Sequence, residues 1–583
     1  MILRTLYDYY NRKNNEQESF LAPEGMEDQA ITFLIVLDLY GHFLRLECTE
    51  NSYGRPNIYR VLKHKNRTSS IDPNAFWDNA EHVLNMKITN GLCVQADDKK
   101  AKQNAFIDFC KELHKLFPEN KEFYAVCRFY EQPEELLKIT NDPVWKQVIA
   151  NGSGYFSFII NGQQNIVASH PDILKYYKYT AKAKKQEQFV CLITGNKDSA
   201  VRLTTATPIK GSKRTASLVS FQLDSGYDSY NKKQCFNAPI SPSAEASYTT
   251  ALNYLLSNDS RNKFVIGNRT FVFWASSSSE AAQKAEQSVF ALFGFPTEKD
   301  NPDYHIESVR KNFESIYSGI PHDSQDCFYF LGLAPNSARI SVIYWNECPL
   351  RDFSMQILNH FQDMEIADTR KEKKSYSGLY SILAATILNG KVSEASPNMP
   401  EAIIKSILQN TPYPYALFMA CLNRIRARQD ISITQAAVIK GYLNRILNTN
   451  QKLLSIMLDK ENTNIGYLCG RLLSVFVWQQ EKCNDSNSIR TRYMNAACST
   501  PAAVFPTIMN LATHHADKLD DKLRIFCEQL ASEIIEKIPA NGFPAHLDIY
   551  DQGRFLVGYY HQRQAFFTKK KTMYNEIVSI IKS

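Results

Sequence analysis

A chain of 583 residues is too long for one hydrophobic core, and at roughly 150 residues per domain about four packed units are expected. Hydrophobic residues at 44% and charged residues at 22% are ordinary globular values, which excludes general disorder; no uninterrupted apolar run is long enough to span a bilayer. The formal charge of +7 is modest, yet lysine and arginine fall in local knots separated by acidic stretches, as a polyanion track requires.

Leu3, Leu6, Tyr7 and Tyr10 recur at helical spacing, and residues 32–47 read as two β runs joined around Leu39-Tyr40-Gly41-His42. Asp8 interrupts the apolar stretch that a secretory segment would continue, so a cytoplasmic protein is expected. The next segment couples cations to amides: Lys63, Lys65 and Arg67 can neutralise phosphates, Ser69 follows, and Asn74 and Asn79 carry donor and acceptor together, the property needed to discriminate base edges. A basic loop before a capped helix, with Trp77 in the core, is the structural alternative.

Phe156 to Val167 carries a second hairpin signal around Asn161-Gly162. Strands are predicted at Phe189–Ile193, Leu218–Leu223, Phe264–Trp274 with a turn at Gly267-Asn268, and Phe328–Trp345 with a turn near Pro335-Asn336. Between them lies a glycine-containing basic cluster, Lys210-Gly211-Ser212-Lys213-Arg214, where backbone can approach a phosphate beside three cations. Ser241-Pro242 announces a helix to about Leu256, serine as N-cap and proline at the first turn.

From Tyr376 the period becomes helical: Ile403, Ile404, Ile407 and Leu408, then Leu468, Leu472, Val475 and Phe476, then Phe526, Leu530, Ile534 and Ile538. Arg424 and Arg428 share a helix face, with Lys440, Arg445 and Arg471 on neighbouring helices; such rows can track a single strand, or be ordinary helix-surface charge. The fold class is therefore α+β: a mixed α/β N-terminal region with antiparallel hairpins, then an all-α helical bundle. Boundaries are placed at 1–130, 131–375 and 376–583, with Arg370–Lys374 and Ser393–Pro400 as linkers.

The phosphate-cradling G-x-x-x-x-G-K-[ST] loop, G-x-G-x-x-G, H-E-x-x-H and G-x-S-x-G are absent. The 13 cysteines are scattered singly without C-x-x-C, so reduced thiols are expected and neither a metal nor a cofactor. His514-His515 is the nearest metal-like pair, but adjacent helical side chains point about 100° apart.

Taken in order, these segments resemble the large subunit of the type I-C CRISPR Cascade, the PAM-reading subunit of the Dvulg subtype. The match includes Tyr7 to Tyr10, Arg67 to Glu81, Ile209-Lys210-Gly211, Leu218 to Phe221, Asn237-Ala238-Pro239, Leu331 to Asn336, Thr500 to Pro506, Phe543 to Leu547, Asp551 to Phe555 and Gly558 to Gln564. Ala216 and Cys235 stand where members often have glycine, and a positive φ there would be strained. The resemblance implies that the N-terminal region recognises a short PAM in target double-stranded DNA while the C-terminal bundle resembles the small subunit and lies along the displaced strand. It further implies crRNA, contact with the handle-binding and backbone subunits, and recruitment of a separate helicase-nuclease. The assignment is Arg67, Ser69, Asn74 and Asn79 at the PAM, Lys63, Lys210, Lys213 and Arg214 on phosphates, and Arg424, Arg428, Lys440 and Arg471 on the non-target strand. No catalytic residue is expected. A small subunit started internally at Met457 or Met419 is a further implication. The competing classes are a guide-processing or DNA-cutting nuclease using His561, Tyr559 or the His514-His515 pair, and a structural scaffold.

Overall fold

A computed structural model describes all residues except 16–20, 65–70, 90, 184–186, 224–225, 227–230, 294–305, 322–323, 338, 370–377, 447–453, 485–487 and 583. Helix makes up 52% and strand 15% of it, with the sheets confined to the N-terminal part, which is the α+β class expected. Two units result, Met1–Thr207 with Ser217–Tyr254, and Pro208–Ala216 with Leu255–Ser583. Their division falls inside the 131–375 stretch.

Unit 1 opens with α1 (Ile2–Asn15), which buries Leu6, Tyr9 and Tyr10; the Tyr10 hydroxyl donates to the Ala22 carbonyl at 2.9 Å. There follow β1 (Met26–Ala30), β2 (Phe33–Leu37), β3 (Phe43–Cys48), β4 (Ile58–Leu62), β5 (Trp77–Asn79), α2 (Ala80–Val83), β6 (Met86–Thr89) and β7 (Leu92–Gln95). Next come α3 (Ala101–Leu116), α4 (Lys121–Glu131), α5 (Pro133–Ile139), α6 (Trp145–Asn151), β8 (Tyr155–Ile160), α7 (Pro171–Ala183), β9 (Phe189–Val190), β10 (Lys197–Asp198) and α8 (Pro242–Leu256). The main sheet runs β3-β2-β8-β5, with β2 parallel to β8. β2 is Phe-Leu-Ile-Val-Leu, buried at every position, because a strand covered on both faces needs an unbroken apolar run rather than alternation. Phe106 of α3 and Phe129 of α4 pack on Phe158 of β8, at 6.4 and 6.0 Å between ring centroids.

The expected hairpin at 32–47 is β2–β3. The one at Phe156–Val167 is not. Gly162 does take φ +85, but β8 is bonded to β2 over Phe156–Ile160 and to β5 over Tyr155–Ser157, and to no strand that follows it. After the turn the chain does not return along β8; Val167–Ser169 forms a 3-10 turn that buries Val167 and Ala168. Nor is Leu218–Leu223 a strand; threonine side chains take its backbone groups, Thr207 Oγ1 accepting from the Leu218 N–H at 3.1 Å while Thr204 Oγ1 donates to the Val219 carbonyl. The run from Phe189 shrinks to two strand residues.

Unit 2 begins with β11 (Lys263–Ile266), β12 (Arg269–Ala275), α9 (Glu280–Phe293), α10 (Ile306–Gly319), β13 (Cys327–Asn336), β14 (Arg339–Pro349) and α11 (Leu350–Met364). The four strands form an antiparallel meander, β11-β12-β13-β14, as their turn signals predict. The helical part follows as α12 (Leu379–Ala384), α13 (Met399–Leu408), α14 (Tyr415–Arg428), α15 (Ile433–Ile446), α16 (Ile465–Asn484), α17 (Ser488–Ser499), α18 (Pro501–Ala516), α19 (Asp521–Ile535) and α20 (Ile549–Lys582). Phe271, Phe273 and Phe330 of the meander belong to the same continuous core as Leu468, Leu472 and Val475 of α16, so meander and bundle are one body rather than two joined by linkers. Arg370–Lys374 lies outside the described residues, and Ser393–Pro400 leads into α13, where Pro400 is buried.

Candidate nucleic-acid interface

In unit 1, Lys63 directly follows β4 and its ammonium pairs with Glu245 of α8 at 3.2 Å. A phosphate there has to compete with that carboxylate. Arg67 and Ser69 lie outside the described residues. From Asn74 to His82 the chain is organised by Asp78, fully buried on β5, which accepts from the Asn74 N–H at 2.9 Å and the Asn79 N–H at 2.8 Å. Phe76 is held at φ +58 with its ring stacked on Phe123, and Trp77 is buried as expected. Asn79 caps α2: its Oδ1 accepts from the His82 N–H at 3.2 Å. The cap uses the amide oxygen and leaves the two Nδ2 protons as the donors this half-buried side chain can offer a base edge. Asn74 is buried, only 7% exposed. The structure thus brings Asn74 and Asn79 together through Asp78, which the sequence reading did not single out. Its signal was the spacing Asp78-x-x-x-His82 beside the asparagines.

In unit 2 the basic loop packs by the β13–β14 turn, the Lys213 N–H donating to the Ser337 carbonyl at 3.2 Å. Gly211 makes its bend at φ +82, and Ser212 Oγ closes it by accepting from the Ile209 N–H at 3.0 Å. Ala216 and Cys235 are both buried without a positive φ, so the loops follow their course without strain at either. Lys210, Lys213 and Arg214 are exposed, and among the described residues no carboxylate pairs with any of them. Three unpaired cations on a fixed bend are what a phosphate backbone requires, since each phosphate bound displaces condensed counterions. Replacing all three by alanine is expected to flatten the plot of log affinity against log salt for duplex DNA by about 2 to 3, at about 0.9 for each phosphate no longer neutralised. An unchanged slope in filter binding at graded salt would exclude the loop from the backbone.

The four cations assigned to the displaced strand separate. Arg471 is fully buried on α16, its Nε donating to Gln562 Oε1 at 3.1 Å, and Lys440 is 3% exposed, its ammonium donating to the Gln362 carbonyl at 3.4 Å. Burial pushes the pKa of both below the ordinary value. In this fold their side chains hold helices together rather than face solvent. Arg424 and Arg428, four residues apart on α14, instead border a cavity of about 350 Å³.

The sequence model of the family described as CRISPR-associated protein (Cas_Csd1) matches residues 6–567. The chain belongs to this family, the large subunits of the type I-C CRISPR Cascade. No curated protein matches it. As a Csd1-family large subunit it is part of a CRISPR complex built on crRNA with other Cascade subunits. Among the described residues of this Cascade subunit no helix is long and apolar enough to cross a membrane, and no three His, Cys, Asp or Glu side chains come together as a metal ligand set. His561 and Tyr559 are buried in the packing of α20 on α16, His561 Nδ1 lying 3.0 Å from Tyr467 Oη.

Proposed function

We propose that this Cascade subunit recognises the PAM in target double-stranded DNA, helps to open the duplex, stabilises the R-loop and recruits a separate helicase-nuclease, without breaking a bond itself. Guide pairing then reads the sequence, and protein contacts supply the flanking check. The observation that carries this reading is the fixed, unpaired triad of Lys210, Lys213 and Arg214 in a chain of this family, with Asn79 offering amide donors from a rigid cap. The handle-binding, backbone and small subunits are the protein partners in this proposal.

The test compares Cascade assembled with and without this subunit, and with Asn79→Ser, on duplexes carrying correct or scrambled flanking trinucleotides. Serine still caps α2 but lacks the amide protons, so the melting temperature stays and the preference for the correct flank falls about 5-fold, the lower end (about 1 kcal/mol) of the range for base contacts, since only the amide protons are free to reach a base. Discrimination by the assembly lacking the subunit would overturn the proposal; undiminished discrimination by Asn79→Ser would remove that side chain from the reading role. Salt-insensitive DNA binding would favour the scaffold alternative instead.

A small subunit from the same message is part of the proposal, with Met457 favoured over Met419 as its start. Met457 is 65% exposed and precedes α16, leaving α16 to α20 whole, whereas Met419 lies inside α14 and would cut it. Intact mass measurement of the purified complex is expected to show a fragment beginning at Met457; a complex with no C-terminal fragment excludes both starts.

A further inference from the structure

The cavity beside α14 combines features that no structural role in the bundle uses up. Arg424 and Arg428 line it from the last two turns of α14, Ser432 from the cap of α15 and Gln435 from its first turn. Ala385 and Gly390 help close it from the α12 side. The start of α15 is a closed reciprocal cap: Ser432 Oγ accepts from the Gln435 N–H at 3.2 Å and Gln435 Oε1 accepts from the Ser432 N–H at 3.0 Å. Gln435 Nε2 donates to the Ala385 carbonyl at 2.9 Å, which fixes that wall. The positive end of the α15 dipole therefore borders the cavity on a rigid frame.

The two guanidiniums add charge without neutralisation. Among the described residues no carboxylate pairs with Arg424 or Arg428, and Arg424 Nε is buried without a hydrogen-bond partner. The nearby Asp430 is engaged by Arg490 at 3.1 Å. Two guanidiniums without a carboxylate partner on one wall of a cavity, beside a helix N-terminus, suit an anion. Guanidinium forks match phosphate oxygens in particular, and the volume is at the lower end of small-ligand sites.

We infer that this cavity is a phosphate seat that takes the phosphoryl oxygens of one nucleotide, held by Arg424 and Arg428 against the N-terminus of α15. The source is either a phosphodiester of a single strand or a free nucleotide, and the strand-borne source rests on the function proposed above. The seat itself rests only on the cavity.

The experiment uses the full chain with two probes, fluorescein-labelled oligothymidylate and inorganic pyrophosphate, the second also as competitor of the first. Two variants are compared with the parent, the Arg424→Ala/Arg428→Ala double and Ser432→Asp; aspartate caps α15 as well as serine does but places a carboxylate at the seat, so Ser432→Asp reports on binding even where the double variant is less stable. Both variants are expected to weaken pyrophosphate binding about tenfold or more with the Ser432→Asp melting temperature unchanged. Parallel weakening of oligothymidylate, with competition by pyrophosphate, makes a strand the source; weakening of pyrophosphate alone makes it a free nucleotide. Parent-like binding of both probes by both variants overturns the seat. The Lys210→Ala/Lys213→Ala/Arg214→Ala chain, measured in parallel on duplex DNA, shows whether the broader DNA-binding function survives that result.

Discussion

Gly470→Ala is expected to lower the thermal midpoint of the chain by about 5 °C or more, through a clash that no side-chain rotation can relieve. A Cβ built on Gly470 would lie 1.9 Å from the Phe555 carbonyl oxygen and 2.9 Å from the Tyr559 nitrogen, and one on Gly466 would lie 2.4 Å from the Asp551 carbonyl oxygen. From the other side, a Cβ on Gly558 would lie 2.3 Å from the Tyr467 carbonyl oxygen. α16 and α20 thus touch backbone to backbone, with Gly466 and Gly470 on one face of α16 and Gly558 of α20 set between them. Overpacking typically destabilises by about 1–3 kcal/mol, and here the obstructing atoms are main chain, which favours the upper end. Alanine returns about 1 kcal/mol as the better helix former, leaving a net loss of about 2 kcal/mol, or about 2–4 °C for each kcal/mol in a large domain. Gly319→Ala is the control: it closes α10 without a positive φ, and a Cβ there meets nothing within 4 Å, so its midpoint is expected to hold or rise slightly. Equal midpoints for both variants in a thermal scan would mean that α16 and α20 do not cross as described.

The same helix pair shows where sequence reading succeeds and where it stops. Leu468, Leu472, Val475 and Phe476 identified α16 by their spacing, but spacing reports one face at a time. α16 is buried at nearly every position from Gly466 to Gln480, so it has no solvent row on which Arg471 could track a strand. The two glycines at helical spacing were the available sign of close approach, since glycine inside a helix is unfavourable by about 1 kcal/mol unless a neighbour needs the room. The Ser241-Pro242 start of α8 and the meander turns were legible because caps and turns are local. What β8 pairs with was not, because it depends on β2 and β5 arriving from more than 70 residues away in the chain. At the candidate interface the cations at 210–214 were legible as a basic loop, whereas the partner of Lys63 was not: Glu245 is 182 residues distant and ordinary in its own neighbourhood.

Acidification is expected to destabilise the helical part of unit 2 well before its carboxylates protonate. His360 and His561 are each about 1% exposed. Burial lowers the pKa of His360 to about 3, assisted by the positive Arg445, and that of His561 to about 3, assisted by Lys440 and opposed by Asp459. His360 Nδ1 lies 2.8 Å from Tyr413 Oη, which donates onward to Asp363 at 3.2 Å, so the neutral ring already has its partner in the fold. The folded pKa of each lies below the unfolded value of about 6.5. Above about pH 6.5 neither state binds the proton and these groups add no slope. Below it the unfolded chain takes up protons that the folded chain refuses, so stability falls as pH falls, until about pH 3 where the folded rings also titrate. The slope approaches about 1.4 kcal/mol per pH unit for each ring, so the pair removes about 3 kcal/mol between pH 6.5 and 5. Urea midpoints taken from pH 8 to 5 are expected to be level down to about 6.5 and then to drop steadily, with a shallower drop in His360→Gln/His561→Gln. A midpoint that stays level to pH 5 would mean that both rings charge inside the fold, and would place water or an anion beside them.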